Sequence, residues 1–71
     1  MEKIYIRDEF IKLGQALKLA GLVDSGVEAK DVILNGEVKV NGEVELQRGK
    51  KLYKDFIVSY NGSEFIVCNR E

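Results

Sequence analysis

The sequence predicts an α+β fold in which two short helices form a helix-turn-helix-like unit among short strands, and three observations predict it. Ile4 and Ile6 alternate with Tyr5 and Arg7 near the start. Leu13, Leu17 and Ala20 recur at helical spacing and are followed by the capping pair Ser25 and Glu28. The second half carries two Asn-Gly dipeptides, Asn41-Gly42 and Asn61-Gly62, each beside alternating apolar residues. At 71 residues the chain reads as a single domain over 1–71, with no proline, repeat or linker to divide it. So short a chain buries only about 60% of its unfolded surface, and the core must be small. An apolar content of 45% is nevertheless ordinary for a folded chain and too high for a disordered one.

Glu2 to Arg7 suits a half-buried strand. From Leu13 to about Ala20 the apolar stripe, with Ala16 beside it, marks a first helix whose opposite side carries Gln15 and Lys18. Gly21 closes it as a C-terminal cap. Its start is poorly marked, because Gly14 is a weak helix former and no Ser, Thr or Asp stands just before it. In Asp24-Ser25-Gly26-Val27-Glu28 the spacing is that of a capping box. The Ser25 hydroxyl is expected to accept from the N–H near Glu28 and the Glu28 carboxylate from the N–H of Ser25, in a cap worth about 1 kcal/mol. Ala29, Val32 and Ile33 form the stripe of this second helix, which ends at Asn35-Gly36, residues that tolerate the left-handed conformation.

Val38, Lys39 and Val40 alternate into Asn41-Gly42, a strong hairpin signal. Parity objects to a two-residue loop, which would pair Val40 with Glu43 and Lys39 with Val44 and mix apolar and charged residues on each face. A longer loop or a bulge is therefore expected. At Asn61-Gly62 a two-residue loop works. It pairs Val58 with Phe65 and Phe56 with Val67 on one face and Ile57 with Ile66 on the other, giving a hairpin from Phe56 to Cys68.

Composition removes most chemistry. Histidine is absent, and the lone Cys68 can build neither a zinc site nor a Cys-His nucleophile, nor an internal disulfide. Glu43 with Glu45 and Asp8 with Glu9 read as solvated pairs, and no glycine-rich phosphate loop is present. No catalytic constellation, cofactor motif or metal-ligand set is found. No apolar run approaches the roughly 18 residues of a membrane span, and the N-terminal order is not that of a signal peptide, so a cytoplasmic protein with no membrane partner is expected.

A formal net charge of −1 argues against a polyanion partner, but its distribution does not. From Phe10 to Val23 there is no acid beside Lys12 and Lys18. From Leu46 to Lys54 there are four cations, Arg48, Lys50, Lys51 and Lys54, again without an acid. Charge alone leaves two readings, a solvated turn or a phosphate-binding loop in which Arg48 forks onto a phosphate while Lys50 and Lys51 act as point charges. Successive lysines on an extended segment point in opposite directions, so both cannot face one ligand unless the loop curls. Lys12, Gln15 and Lys18 make one ridge on the first helix, either an ordinary polar face or part of a site. Ser25 serves as a cap, though a helix N-terminus also attracts phosphate. Tyr5, Tyr53 and Tyr60 suit core or rim packing more than stacking on a flat ligand.

The segments KLGQALKLAGLVDSG, EAK, GEVKVNGEVE and QRGKKLY, covering roughly Ile11 to Tyr53, resemble in order and spacing the RNA-binding domain named after ribosomal protein S4, and more closely its small stand-alone bacterial members. The preceding strand and the EFI before the first helix are also similar to those proteins. The resemblance implies two helices packed on a small, mostly antiparallel sheet. It also implies non-catalytic binding of structured RNA by the face made from the helical unit and the loop after the VNG turn. Carried over residue by residue, it points to Lys12 at the opening of the first helix, Ser25 at the cap of the second and Lys30 within it. Further along it points to Lys39 and Asn41 in the strand and turn and to Arg48, Lys50 and Lys51 in the basic loop. By analogy the RNA is ribosomal RNA or a ribosome assembly intermediate, bound by a monomer. Two positions depart from the pattern: Val27 stands where relatives often have a second glycine, and Lys54-Asp55 where they often have Pro-Gly or Gly-Asp. The alternatives are a protein-interaction module that adds a partner strand to the hairpin edge at Phe56 to Val67, and duplex DNA binding through the helical unit.

Overall fold

The computed structural model describes residues 1–70. In chain order it comprises β1 (Glu2–Ile6), β2 (Ile11–Lys12), α1 (Leu13–Leu19), α2 (Gly26–Leu34), β3 (Val38–Val40), β4 (Glu43–Val44), β5 (Lys51–Leu52), β6 (Ile57–Tyr60) and β7 (Ser63–Asn69). Five strands form one sheet in the order β1-β7-β6-β3-β4, and β2 pairs with β5 in a separate ribbon. All pairs are antiparallel except β1 with β7, so the sheet is mixed and mostly antiparallel.

The core lies between one face of the larger sheet and the helical pair. Alternation sends Ile4, Ile6, Val38, Val40, Val58, Phe65 and Val67 to that face, where they meet Leu13, Ala16 and Leu17 of α1 and Ala29, Val32 and Ile33 of α2. The period-2 and period-3.6 patterns read from the sequence are thus the two sides of one apolar layer. Gly21 at φ +75° and Gly36 at φ +75° follow the two helices in the left-handed conformation, as expected of C-terminal capping positions.

At the start of α2 the Ser25 hydroxyl accepts from the Glu28 N–H at 3.1 Å. The reciprocal half of the box differs from expectation, because the Glu28 carboxylate accepts from the N–H of Asp24, at 2.8 Å, one residue earlier than Ser25. Extended backbone at Ser25 carries the chain away from the helix axis, and the longer Glu side chain spans the extra residue.

The Asn61-Gly62 hairpin has the expected register, with Val58 opposite Phe65 and Ile57 opposite Ile66. The Asn41-Gly42 hairpin corrects the parity argument. Lys39 pairs with Val44 and Val40 with Glu43 across a two-residue loop whose residues both have positive φ, with neither longer loop nor bulge. Parity carries no penalty there because β4 is a two-residue edge strand with both residues exposed. The turn is also held from outside, since Asn41 donates its N–H to the Ile57 carbonyl (2.7 Å) and accepts the Ile57 N–H on its side chain (2.9 Å). The partner-strand reading of the Phe56 to Val67 edge is overturned as well. β6 lies between β3 and β7, and β7 between β6 and β1, so both strands are paired on both sides and the free edges are β1 and β4.

Candidate nucleic-acid interface

The unmarked start of α1 is completed by a distant segment. Lys12, the N-cap residue, makes no side-chain cap. Instead the N–H of Leu13 donates to the carbonyl of Lys50 at 2.8 Å and the N–H of Gly14 to the carbonyl of Arg48 at 3.1 Å. Two of the orphan donors of a helix N-terminus are thereby satisfied by the basic loop. The loop is closed by its own turn, in which the Lys50 N–H donates to the Gln47 carbonyl, and the β2–β5 ribbon sets Lys12 opposite Lys51. Arg48 is thus fixed beside the first turn of α1 by backbone hydrogen bonds.

Gly14 makes this approach possible. A Cβ at that position would lie 2.7 Å from the Arg48 Cγ and 3.3 Å from its Cδ, inside van der Waals contact. The glycine that weakens the helix on propensity is therefore the seat of the arginine stem. Gly14→Ala is expected to change stability by no more than about 1 kcal/mol, because a better helix former offsets the crowding. Displacing the guanidinium should still weaken binding of a phosphate-bearing ligand about fivefold. Urea unfolding and a titration with an RNA hairpin on the same variant check both halves.

Lys12, Gly14, Gln15, Lys18, Gly26 and Arg48 line one depression of 240 Å³. The ridge on α1, the residue after the α2 cap and the basic loop thus converge, and among the described residues no carboxylate contributes to the lining. Three cations around one concave surface repel each other in the free protein, and a bound anion relieves that repulsion. Lys51 does not line the depression: its ammonium lies 4.7 Å from the centre of the Phe10 ring in a cation–π contact. Phe10, Tyr53 and Phe56 form an aromatic row, with centroids 6.0 Å and 5.8 Å apart, that braces the ribbon.

Other sequence candidates fall elsewhere. Lys50 and Asn41 line a second depression together with Glu43 and Glu45, so that lysine faces carboxylates while Lys51 faces away, as the extended-segment argument expects. Asn41 is occupied in holding β6. Lys39 lies on the outer face of the sheet, in a depression shared with Glu37 and Glu64. Lys30 is exposed on α2 next to Asp31, and Ser25 is engaged as a cap. Val27, 71% exposed, does not line the cationic depression, so its side chain does not close it. Gly14 and Gly26 were missed as site residues. A glycine in the first turn of a helix, where propensity disfavours it, was the available signal for the first.

Among the described residues no cluster of His, Cys, Asp or Glu could hold a metal ion, and no helix is long and apolar enough to cross a membrane. Comparison with known proteins agrees with the architecture. The family model described as S4 domain matches residues 4–68. The chain belongs to the S4 domain family. Over 67 residues this S4 domain is 46% identical to the probable ribosome maturation protein RlbA of Bacillus subtilis, covering 93% of this chain and 94% of that protein. It is 40% identical over 52 residues to YbcJ of Escherichia coli, covering 73% of this chain and 74% of that one. The solution structure of YbcJ from E. coli, described as revealing an ALFAL motif involved in RNA binding, superposes with a TM-score of 0.74 and 33% identity over 96% of this chain and 87% of that one. The S4 domain fold, two helices on a mostly antiparallel mixed sheet, is thereby shared.

Proposed function

We propose that this S4 domain binds structured RNA without catalysing a reaction, seating backbone phosphates on the depression between α1, the start of α2 and the basic loop. The observation that carries the proposal is the convergence of Lys12, Lys18 and Arg48 on one surface that, among the described residues, no carboxylate lines. Arg48 supplies a planar fork for a phosphate and the lysines supply mobile charge. The RNA is ribosomal RNA or a ribosome assembly intermediate, a reading supported by the ribosome maturation role in the name of the B. subtilis relative. The domain acts as a monomer in the cytoplasm. Duplex DNA is a poorer fit, since α2, which a DNA-reading unit would insert, exposes Glu28 and Asp31 beside Lys30.

Three phosphate contacts set the salt dependence. The slope of log affinity against log salt should be about −2 to −3 on a hairpin RNA, by the counterion-release rule. A titration series across salt concentrations, run in parallel on duplex DNA of matched length, measures it. Affinity for RNA that stays flat with salt, or an equal preference for the DNA, overturns the proposal.

A further inference from the structure

The geometry points to a second subsite beside the cationic depression, a groove that takes one unpaired nucleobase of the RNA, and this inference rests on the RNA-binding reading above. The groove, 670 Å³ in volume, shares Gln15 and Lys18 with the depression, so the two adjoin along the outer side of α1. Ile6, Phe10, Ile11 and Leu19 give it an apolar part that the depression lacks, beside Arg7 and Asp8. Leu19, 57% exposed at the end of α1, presents its apolar side chain to the groove. A long apolar side chain left in water beside a cationic pocket suits a ligand with both an anionic and a flat apolar part, and a nucleotide has that composition.

Adjacency to the cationic depression sets the orientation. Lys18 lines both, so a phosphate chain seated on Lys12 and Arg48 reaches the groove at that end, and Arg7 adds a further cation to the groove itself. Asp8 also lines the groove, and its carboxylate repels phosphate but accepts hydrogen bonds from the N–H groups of a base edge. Gln15, with both a donor and acceptors, lies at the junction. A continuous duplex keeps its bases stacked inside, so only an extruded nucleotide reaches the groove while its neighbours' phosphates remain on Lys12 and Arg48. The S4 domain would then discriminate an interrupted helix from a regular one, reading shape and one base together.

The test uses three synthetic RNA hairpins: one with an uninterrupted stem, one with a single bulged purine, and one with an abasic residue at the bulge, which keeps the backbone distortion but removes the base. The full chain should bind the purine bulge about tenfold more tightly than either of the others, in line with the apolar area that one base buries against the groove. Leu19→Ser should remove that preference while binding the uninterrupted stem as the parent does. Purine and abasic bulges bound alike, with salt-dependent stem binding retained, overturn the subsite and leave the phosphate surface standing. A preference that persists in Leu19→Ser also overturns the groove assignment. Failure to bind all three hairpins overturns the RNA reading itself.

Discussion

Replacing Lys12, Lys18 and Arg48 together by Ala is expected to lower affinity for a structured RNA about 100- to 1000-fold near physiological salt and to flatten the remaining salt dependence. The magnitude follows from three phosphate interactions at about 1–1.4 kcal/mol each, with the salt slope falling by about one for each cation replaced. All three side chains line the same depression and are exposed, so their removal empties the site without opening the core. The informative control is the pair Lys39→Ala and Lys50→Ala. Those cations lie in depressions that also contain carboxylates, Glu37 and Glu64 for the first and Glu43 and Glu45 for the second. Their replacement should change affinity by no more than about threefold, an effect of net charge rather than of direct binding. Comparable effects from the two sets would mean that RNA responds to overall charge, and the converged surface would have no special standing.

Phe65→Ala is expected to have the largest effect on folding. Phe65 is 1% exposed and is the largest of the fully buried side chains. It lies on β7, the strand paired with both β1 and β6, and opposite the buried Val58. Truncating a buried Phe costs about 3–5 kcal/mol through reduced burial and the cavity left behind. A chain of this length holds about 4–10 kcal/mol in all, from the usual stability per residue, so the variant should sit close to its unfolding transition at 25 °C. Urea unfolding followed by circular dichroism gives the midpoint. A shift worth less than about 1 kcal/mol would show that the centre of the core lies elsewhere. Phe65→Leu, which preserves most of the volume, should cost no more than about 1.5 kcal/mol and separates packing from strand propensity.

Where the sequence was read correctly, the deciding interactions were local. The second hairpin rests on Asn61-Gly62 and the alternation around it, and the left-handed glycines after both helices follow from residues within one turn. The first hairpin was misread because the parity argument treated β4 as a strand with a buried face. Whether a strand lies at an edge depends on which strands pair beside it, and neighbouring residues carry no record of that. The strand-addition reading failed for the same reason, since β1 pairs with β7 from the other end of the chain and covers an edge that the isolated hairpin would leave free. The β2–β5 ribbon escaped notice because two-residue strands have too short a pattern to register.

The candidate site divides along the same line. Lys12, Gln15 and Lys18 were legible as a ridge, because helical spacing is a property of adjacent turns. Their meeting with Arg48 was not, and neither was the separation of Lys50 from Lys51, whose different surroundings come from the elements on either side of β5.

The sequence by itself determined the two helices and every helix end except the start of α1, the inward faces of the strands and the segregation of cations from acids, since each follows from interactions within a few residues. Tertiary structure alone decided which of those cations share a surface. The N–H groups at the start of α1 lack a local cap and take the carbonyls of Arg48 and Lys50 instead, so a backbone requirement at one end of a helix brings a distant arginine to the site.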